Sequence, residues 1–189
     1  TNKEEELSFS DEKVCSPSVS EMQKETNTDN IYINYSSPKT NGRSYIYNLR
    51  TKEKKFVKQQ EVLDKNYSPK NYITERLECK SHDGRKIPLT ITRHKETKVD
   101  GTANVLLYGY GSYGNSLSFG FSNTRLSLLN RNIIWCDASV RGGRERGEAW
   151  HEEAKMLNKK NTFEDYISAA KYLIEKKYSY KGGIIGYGG

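Results

Sequence analysis

The sequence predicts a mixed α/β chain in which an antiparallel β-meander precedes a β-α-β-α-β series, and three observations carry that expectation. Between positions 31 and 57, short β-branched and aromatic runs recur about every ten residues, separated by turn residues. From Asn104 onward, short runs that are apolar on every residue alternate with segments of helical period. Each of those later runs leads into a glycine-rich segment, which is where an open α/β sheet places its ligand-binding loops.

In chain order, residues 1–29 are polar and acidic with weak periodicity, and read as a ragged end. Residues 31–35, 44–49 and 54–57 are expected strands, punctuated by Pro38, Asn41-Gly42 and Thr51-Lys52. Their spacing suits a sandwich or a propeller blade. A polar connector over 64–71, carrying Pro69, leads to a hairpin of residues 73–79 and 87–92. Asp83-Gly84 at its turn suits a type I′ geometry, in which both central residues need positive φ. Residues 105–108 and 133–136, and the run that begins with Ile184-Ile185, are expected parallel strands buried on both faces. Helices are expected over 124–129 and 163–176. In the second, Phe163, Ile167, Ala170 and Ile174 recur at helical spacing, Thr162 is the expected N-cap, and Glu164 and Asp165 favour the positive end of the dipole.

Composition narrows the class. Of the 189 residues, 34% are hydrophobic and 29% charged, which suits a globular protein, but a mean hydropathy of −0.90 leaves a thin core per residue. No signal peptide or membrane span is read, so the cytoplasm is the expected location. The formal charge of +7 is unevenly spread: residues 1–30 hold 3 basic and 8 acidic side chains, residues 31–100 hold 16 and 8, and residues 101–189 hold 12 and 8. The central excess, including Lys52, Lys54, Lys55 and Lys58, forms no run and no helical stripe, which argues against a nucleic-acid-binding protein. Cys15, Cys79 and Cys136 are too far apart for a CxxC pair and odd in number, so reduced thiols are expected. His82, His94 and His151 lack ligand partners at metal-binding spacing, and neither a metal nor a cofactor is expected.

Three segments could carry chemistry. The first, Tyr108-Gly109-Tyr110-Gly111-Ser112-Tyr113-Gly114, follows an apolar strand. Its glycines satisfy G-x-G-x-x-G, but no acidic residue stands near the offset of about 20 that a ribose contact needs, and Asp137 comes too late. A turn that needs flexible backbone and a ligand loop both fit. The second spans residues 140–151. Arg141, Arg144 and Arg146 could hold an anion, although interleaved Glu145 and Glu148 more simply form local ion pairs. The third is Gly186-Tyr187-Gly188-Gly189. A following serine would begin the G-x-S-x-G nucleophile elbow of an α/β-hydrolase.

Together with residues 122–130, the Val140-Arg141-Gly142-Gly143 stretch leading to Trp150, and Lys160-Asn161-Thr162-Phe163 with Asp165-Tyr166, these segments resemble the prolyl oligopeptidase family of serine peptidases over residues 30–189. The resemblance implies the N-terminal half of an α/β-hydrolase domain, over residues 63–189, preceded by the last strands of a β-propeller over residues 1–62. Ser112-Tyr113 is similar to the oligopeptidase B branch, which implies short peptides cleaved after Arg or Lys and marks Tyr113 as a substrate contact. Tyr110 matches the tyrosine whose hydroxyl helps form the oxyanion hole. Arg144 stands where the family has the third glycine of Arg-Gly-Gly-Gly. By the same resemblance the serine, aspartate and histidine lie beyond Gly189, so the chain alone is expected to be inactive unless a complementing C-terminal fragment joins it. A binding module of the same fold remains the alternative, and a lipase-type hydrolase is disfavoured by the absence of an HGGG-type loop.

Overall fold

A computed structural model of the protein describes Leu7, residues 12–20 and residues 27–188. The expectations for residues 1–6, 8–11 and 21–26, and the turn at Gly189, lie outside the described residues. The chain divides into two compact units: residues 1–65 with 119–121, and residues 66–118 with 122–189.

The first unit holds a four-stranded antiparallel sheet in sequential order: β1 (Ser16–Val19), β2 (Asn30–Ser36), β3 (Arg43–Asn48) and β4 (Lys54–Gln59). Within the segment expected to be ragged, Ser16–Val19 pairs along β2, with Ser16 opposite Ser36 and Val19 opposite Ile33. Alternation sets the faces of β2. Ile33 and Tyr35 are buried, while the intervening Asn34 is exposed and its Oδ1 accepts from Ser44 Oγ at 2.9 Å. The turn after β3 is closed by Asn48, whose Oδ1 accepts from the backbone N–H of Arg50 and Thr51.

The second unit carries a five-stranded sheet of β5 (Tyr72–Lys80), β6 (Lys86–His94), β7 (Val105–Tyr108), β8 (Ile134–Ala138) and β9 (Ile184–Tyr187), in the order β5-β6-β8-β7-β9. The hairpin β5–β6 pairs antiparallel to β8, and β8, β7 and β9 run parallel. Helices α1 (Asn123–Leu129), α2 (Glu148–Glu152) and α3 (Lys160–Glu175) lie in the connections. The core is built from Ile87, Leu89, Ile91, Val105, Leu107, Ile134, Cys136 and Leu173, all fully buried or nearly so. All three cysteines are free thiols. No helix among the described residues is long and apolar enough to cross a membrane.

Three local expectations need correction. At the hairpin only Gly84 has positive φ, at 83°. The connection spans residues 81–85, with the Gly84 N–H bonded to the Ser81 carbonyl, so it is a longer loop rather than a two-residue type I′ turn. Helix α3 starts before Thr162, at Lys160, and the Thr162 hydroxyl instead donates to the Arg141 carbonyl at 2.8 Å. Third, of the Phe163-Ile167-Ala170-Ile174 stripe only Ala170 packs against the core, while Phe163, Ile167 and Ile174 are 58, 45 and 37% exposed and Thr162, Asp165, Ala169 and Leu173 are buried. On that buried face Asp165 meets buried Arg141, beside the apolar Ala169 and Leu173.

Candidate functional site

The glycine-rich segments that follow β7 and β8 are locked together, and backbone sterics explain why. Gly111 and Gly114 take φ of 63° and 68°, and Gly142 takes 104°, values that L side chains rarely adopt. A Cβ on Gly142 would collide with the Gly111 carbonyl, and one on Gly111 would lie 2.6 Å from the Thr162 methyl and 2.7 Å from the Arg141 carbonyl. The Gly114 N–H donates to the Gly142 carbonyl at 2.9 Å, and the Gly142 N–H donates to the Trp150 carbonyl at 2.9 Å. The two loops thus touch backbone to backbone, which only glycine permits.

Beneath them lies a buried polar cluster. Arg141 donates from Nε and Nη2 to the two oxygens of Asp165, at 2.9 and 2.7 Å, and from Nη1 to Asp83 at 2.6 Å. Asp165 also accepts from the Arg141 backbone N–H at 3.0 Å and from Ser81 Oγ at 2.5 Å. The hydrogen bond with Asp165 pushes the guanidinium pKa up against the opposing effect of burial. A pair this buried is saturated with partners, as its desolvation requires. Arg141 therefore ties the hairpin turn to α3 and is not available to an anionic ligand. Of the expected local ion pairs, Arg144 with Glu148 is present on the surface. Arg146 pairs with Glu78 instead, and Glu145 accepts from the Leu117 N–H at 2.9 Å. Arg144 has no positive φ, so an arginine fits there without backbone strain.

A second arrangement joins β7 to β9. The Gly109 N–H donates to the Tyr187 carbonyl at 3.2 Å. Tyr166 Oη donates to the Leu107 carbonyl at 2.6 Å and accepts from the Tyr187 N–H at 3.3 Å. Its ring fills the space beside Gly109, where a Cβ would come within 2.8 Å of it. Gly188 sits against the Gly109 carbonyl so closely that a Cβ would overlap it. The Tyr110 loop and the Gly186-Tyr187-Gly188 segment therefore leave adjacent parallel strands side by side, at their C-terminal ends.

The expected site residues fall as follows. Tyr110 is half-buried, and its hydroxyl makes no hydrogen bond among the described residues. Tyr113 is 82% exposed, with a φ of 55°. Glu148, His151 and Glu152 bring ligand atoms within 4.8 Å of one another, a grouping the histidine spacing did not suggest. Each is already engaged: Glu148 with Arg144, His151 Nδ1 with the Gly142 carbonyl at 2.9 Å, and Glu152 with Lys155. Sequence reasoning missed Lys159, which donates to the Gly111 carbonyl at 2.5 Å and to Ser112 Oγ at 2.7 Å. A lone lysine just before a helix carries no sequence signal for such a contact.

Residues 119–189 match the family model described as "Prolyl oligopeptidase family". The chain is 40% identical over 166 residues to dipeptidyl aminopeptidase BI of Pseudoxanthomonas mexicana, covering 87% of this chain and 23% of that protein. It is 38% identical over 161 residues to protease 2 of Moraxella lacunata, covering 85% and 23%. Among solved structures, oligopeptidase B from Leishmania major superposes with a TM-score of 0.86 at 33% identity, over 95% of this chain and 25% of that one. Oligopeptidase B from Trypanosoma brucei, with covalently bound antipain in a closed form, gives 0.87 at 31% identity, over 94% and 25%. The chain thus spans about a quarter of the length of the curated relatives it matches. These likenesses show the fold class expected from the sequence, hydrolase-type α/β preceded by propeller strands.

Proposed function

We propose, from the premise that the chain belongs to the prolyl oligopeptidase family, that it is part of a serine peptidase cleaving short peptides after Arg or Lys, with Tyr110 as an oxyanion-hole donor. The observation that carries this reading is the adjacency of β7 and β9: the Tyr110 loop leaves one strand beside the Gly-rich segment that leaves the other. In an α/β-hydrolase the nucleophilic serine stands on such a strand-to-helix turn, and an oxyanion donor comes from the neighbouring loop.

The chemistry then runs as follows. A serine on the turn after β9 loses its proton to a histidine held by an aspartate, all three supplied by sequence outside residues 1–189 or by a complementing segment. Its oxygen attacks the scissile carbonyl carbon, the carbonyl electrons move onto oxygen, and the Tyr110 hydroxyl donates to the resulting oxyanion. Collapse expels the amine, which takes the proton from histidine, and water then releases the acyl group. The unpartnered Tyr110 hydroxyl supports this role, because a donor already satisfied within the fold would have to break a bond first. Tyr113, on the same loop, is the proposed substrate contact, and its exposure leaves the side chain accessible to a peptide. The preference for Arg or Lys draws support from the likeness to oligopeptidase B.

The test is hydrolysis of fluorogenic peptides carrying Arg, Lys or Pro before the scissile bond by the full-length protein, with and without Tyr110→Phe. The expected result is turnover of the Arg and Lys peptides, lowered about 100-fold in kcat by the substitution with little change in KM. Unchanged kcat in a folded Tyr110→Phe variant rejects the role of Tyr110, and preferred cleavage after Pro rejects the basic specificity.

A further inference from the structure

We infer that Lys159 is a positioning residue for the oxyanion-hole loop: its ammonium fixes the backbone on which Tyr110 is aimed. The inference rests on the function proposed for Tyr110, and its observations are separate from those that carry that reading.

Lys159 occupies the N-cap position of α3, the positive end of the helix dipole, where a cation is disfavoured. Among the described residues no carboxylate lies within ion-pair distance of it. Burial lowers its pKa, so the charged form is held in an environment that opposes it. Its contacts account for that placement. An ammonium has three protons, and here they go to the Gly111 carbonyl at 2.5 Å, Ser112 Oγ at 2.7 Å and Thr162 Oγ1 at 3.2 Å. Two of the three acceptors belong to the loop immediately after Tyr110. The third, Thr162, donates to the Arg141 carbonyl and so to the neighbouring loop.

The Tyr110 side chain cannot be held by its own hydroxyl, which must stay open for the substrate. Its direction is therefore set by the backbone on either side. On one side Gly109 is bonded to β9 and packed on Tyr166. On the other, the Gly111 peptide carbonyl points at the Lys159 ammonium. Removing that anchor leaves the carbonyl of the Gly111-Ser112 peptide with only the longer contact from the Thr162 hydroxyl at 3.4 Å, which loosens the backbone that aims the phenol at the developing oxyanion. A misplacement of about 1 Å in a catalytic group can lower a rate about 100-fold.

The experiment compares wild type, Lys159→Met, Tyr110→Phe and the double variant of the full-length protein, using a fluorogenic Arg peptide, with amide hydrogen exchange as a second readout. Lys159→Met is expected to lower kcat about 10- to 100-fold, to leave KM within about twofold, and to speed exchange at Gly114 and Asn115, whose N–H groups are bonded to the Gly142 and Ser112 carbonyls, about tenfold or more. On a Tyr110→Phe background the same change should lower kcat less than about threefold further, because both act through one hydroxyl. Lys159→Ala, which removes every side-chain donor, gives the same readout if Lys159→Met does not fold. Unchanged exchange, a kcat within about twofold of wild type, or fully additive losses in the double variant would overturn the inference. If wild type cleaves no peptide, the proposed function fails instead, and the exchange measurement still decides whether Lys159 anchors the loop.

Discussion

The two sheets of this protein are held by different physics. In the mixed sheet, Ile87, Leu89, Ile91, Val105, Leu107 and Ile134 are completely buried, and non-sequential neighbours are brought together by crossovers. In the four-stranded sheet, strands follow one another in order, all six residues of β4 are exposed, and the buried apolar residues of the strands are Ile33, Tyr35 and Tyr47. The meander therefore rests on local antiparallel pairing, cross-strand contacts such as Tyr45 against Phe56, and side-chain amides such as Asn48 on Asn30. The difference teaches that a chain of low mean hydropathy can concentrate its apolar residues in one sheet and leave the other to pairing geometry. Both tryptophans, Trp135 and Trp150, lie in the second unit, so tryptophan fluorescence reads that unit, while circular dichroism reads both sheets and a transition it shows without a fluorescence change belongs to the meander.

The sharpest way to test the contrast is to attack the buried charge of the second unit. Arg141→Met leaves Asp165 buried without its cation and should destabilise the unit by about 3–5 kcal/mol, read as a lower urea midpoint in tryptophan fluorescence. Replacing Arg141 and Asp165 together by apolar residues should recover much of that loss; a double variant as unstable as Arg141→Met would show that the ion pair itself, not the orphaned charge, is what matters. Next, Leu107→Ala removes a fully buried side chain of β7 and should lower the same midpoint by about 2–5 kcal/mol. The matching truncation in the meander, Phe56→Ala, should shift the circular-dichroism transition by less than about 1 kcal/mol, because Phe56 is 54% exposed. An equal loss at both positions would erase the distinction between the sheets.

The smallest effect concerns acid. Burial raises the Asp83 carboxyl, but the hydrogen bond from Arg141, with further help from the Arg85 backbone, outweighs it and leaves the pKa below the ordinary 3.8. A carboxylate depressed on folding stabilises the fold above its unfolded value, and that contribution disappears as the pH falls through the folded value. Because the Asp83 side chain is 35% exposed, solvent screening limits it to about 0.5–1 kcal/mol. Asp83→Asn should lower stability by about that amount at pH 6 and by progressively less as the pH falls below 3.8 through the folded value, measured by urea unfolding at pH 6 and along an acid series. A mutational effect that stays the same along that series would remove the pair from the acid response.

The legible parts were those with a strong local period. Apolar runs announced β7, β8 and β9, and β-branched and aromatic runs between turn residues announced β2 and β3. The expected burial on both faces holds for β7 and β8 but not for β9, where Ile185 and Tyr187 are 51 and 57% exposed because β9 has a paired neighbour on one side only. Helix α2 was missed, since five residues are too few to show a period. For α3 most of the apolar stripe points outward, and the buried face carries Ala169 and Leu173 together with Asp165, which meets Arg141.

By itself, then, the sequence determined the order of β2 to β9 with α1 and α3, and the glycine-rich loops after the apolar strands, while the resemblance to a family singled out Tyr110. Tertiary structure alone decided that those loops meet, that Gly142 must be glycine because Gly111 crosses it, and that Lys159 reaches the carbonyl beside Tyr110. The physical reason is range. Periodicity and turn chemistry act over a few neighbouring residues, whereas the contact from Lys159 to Gly111 spans 48 positions and exists only once β7, β8 and α3 have packed.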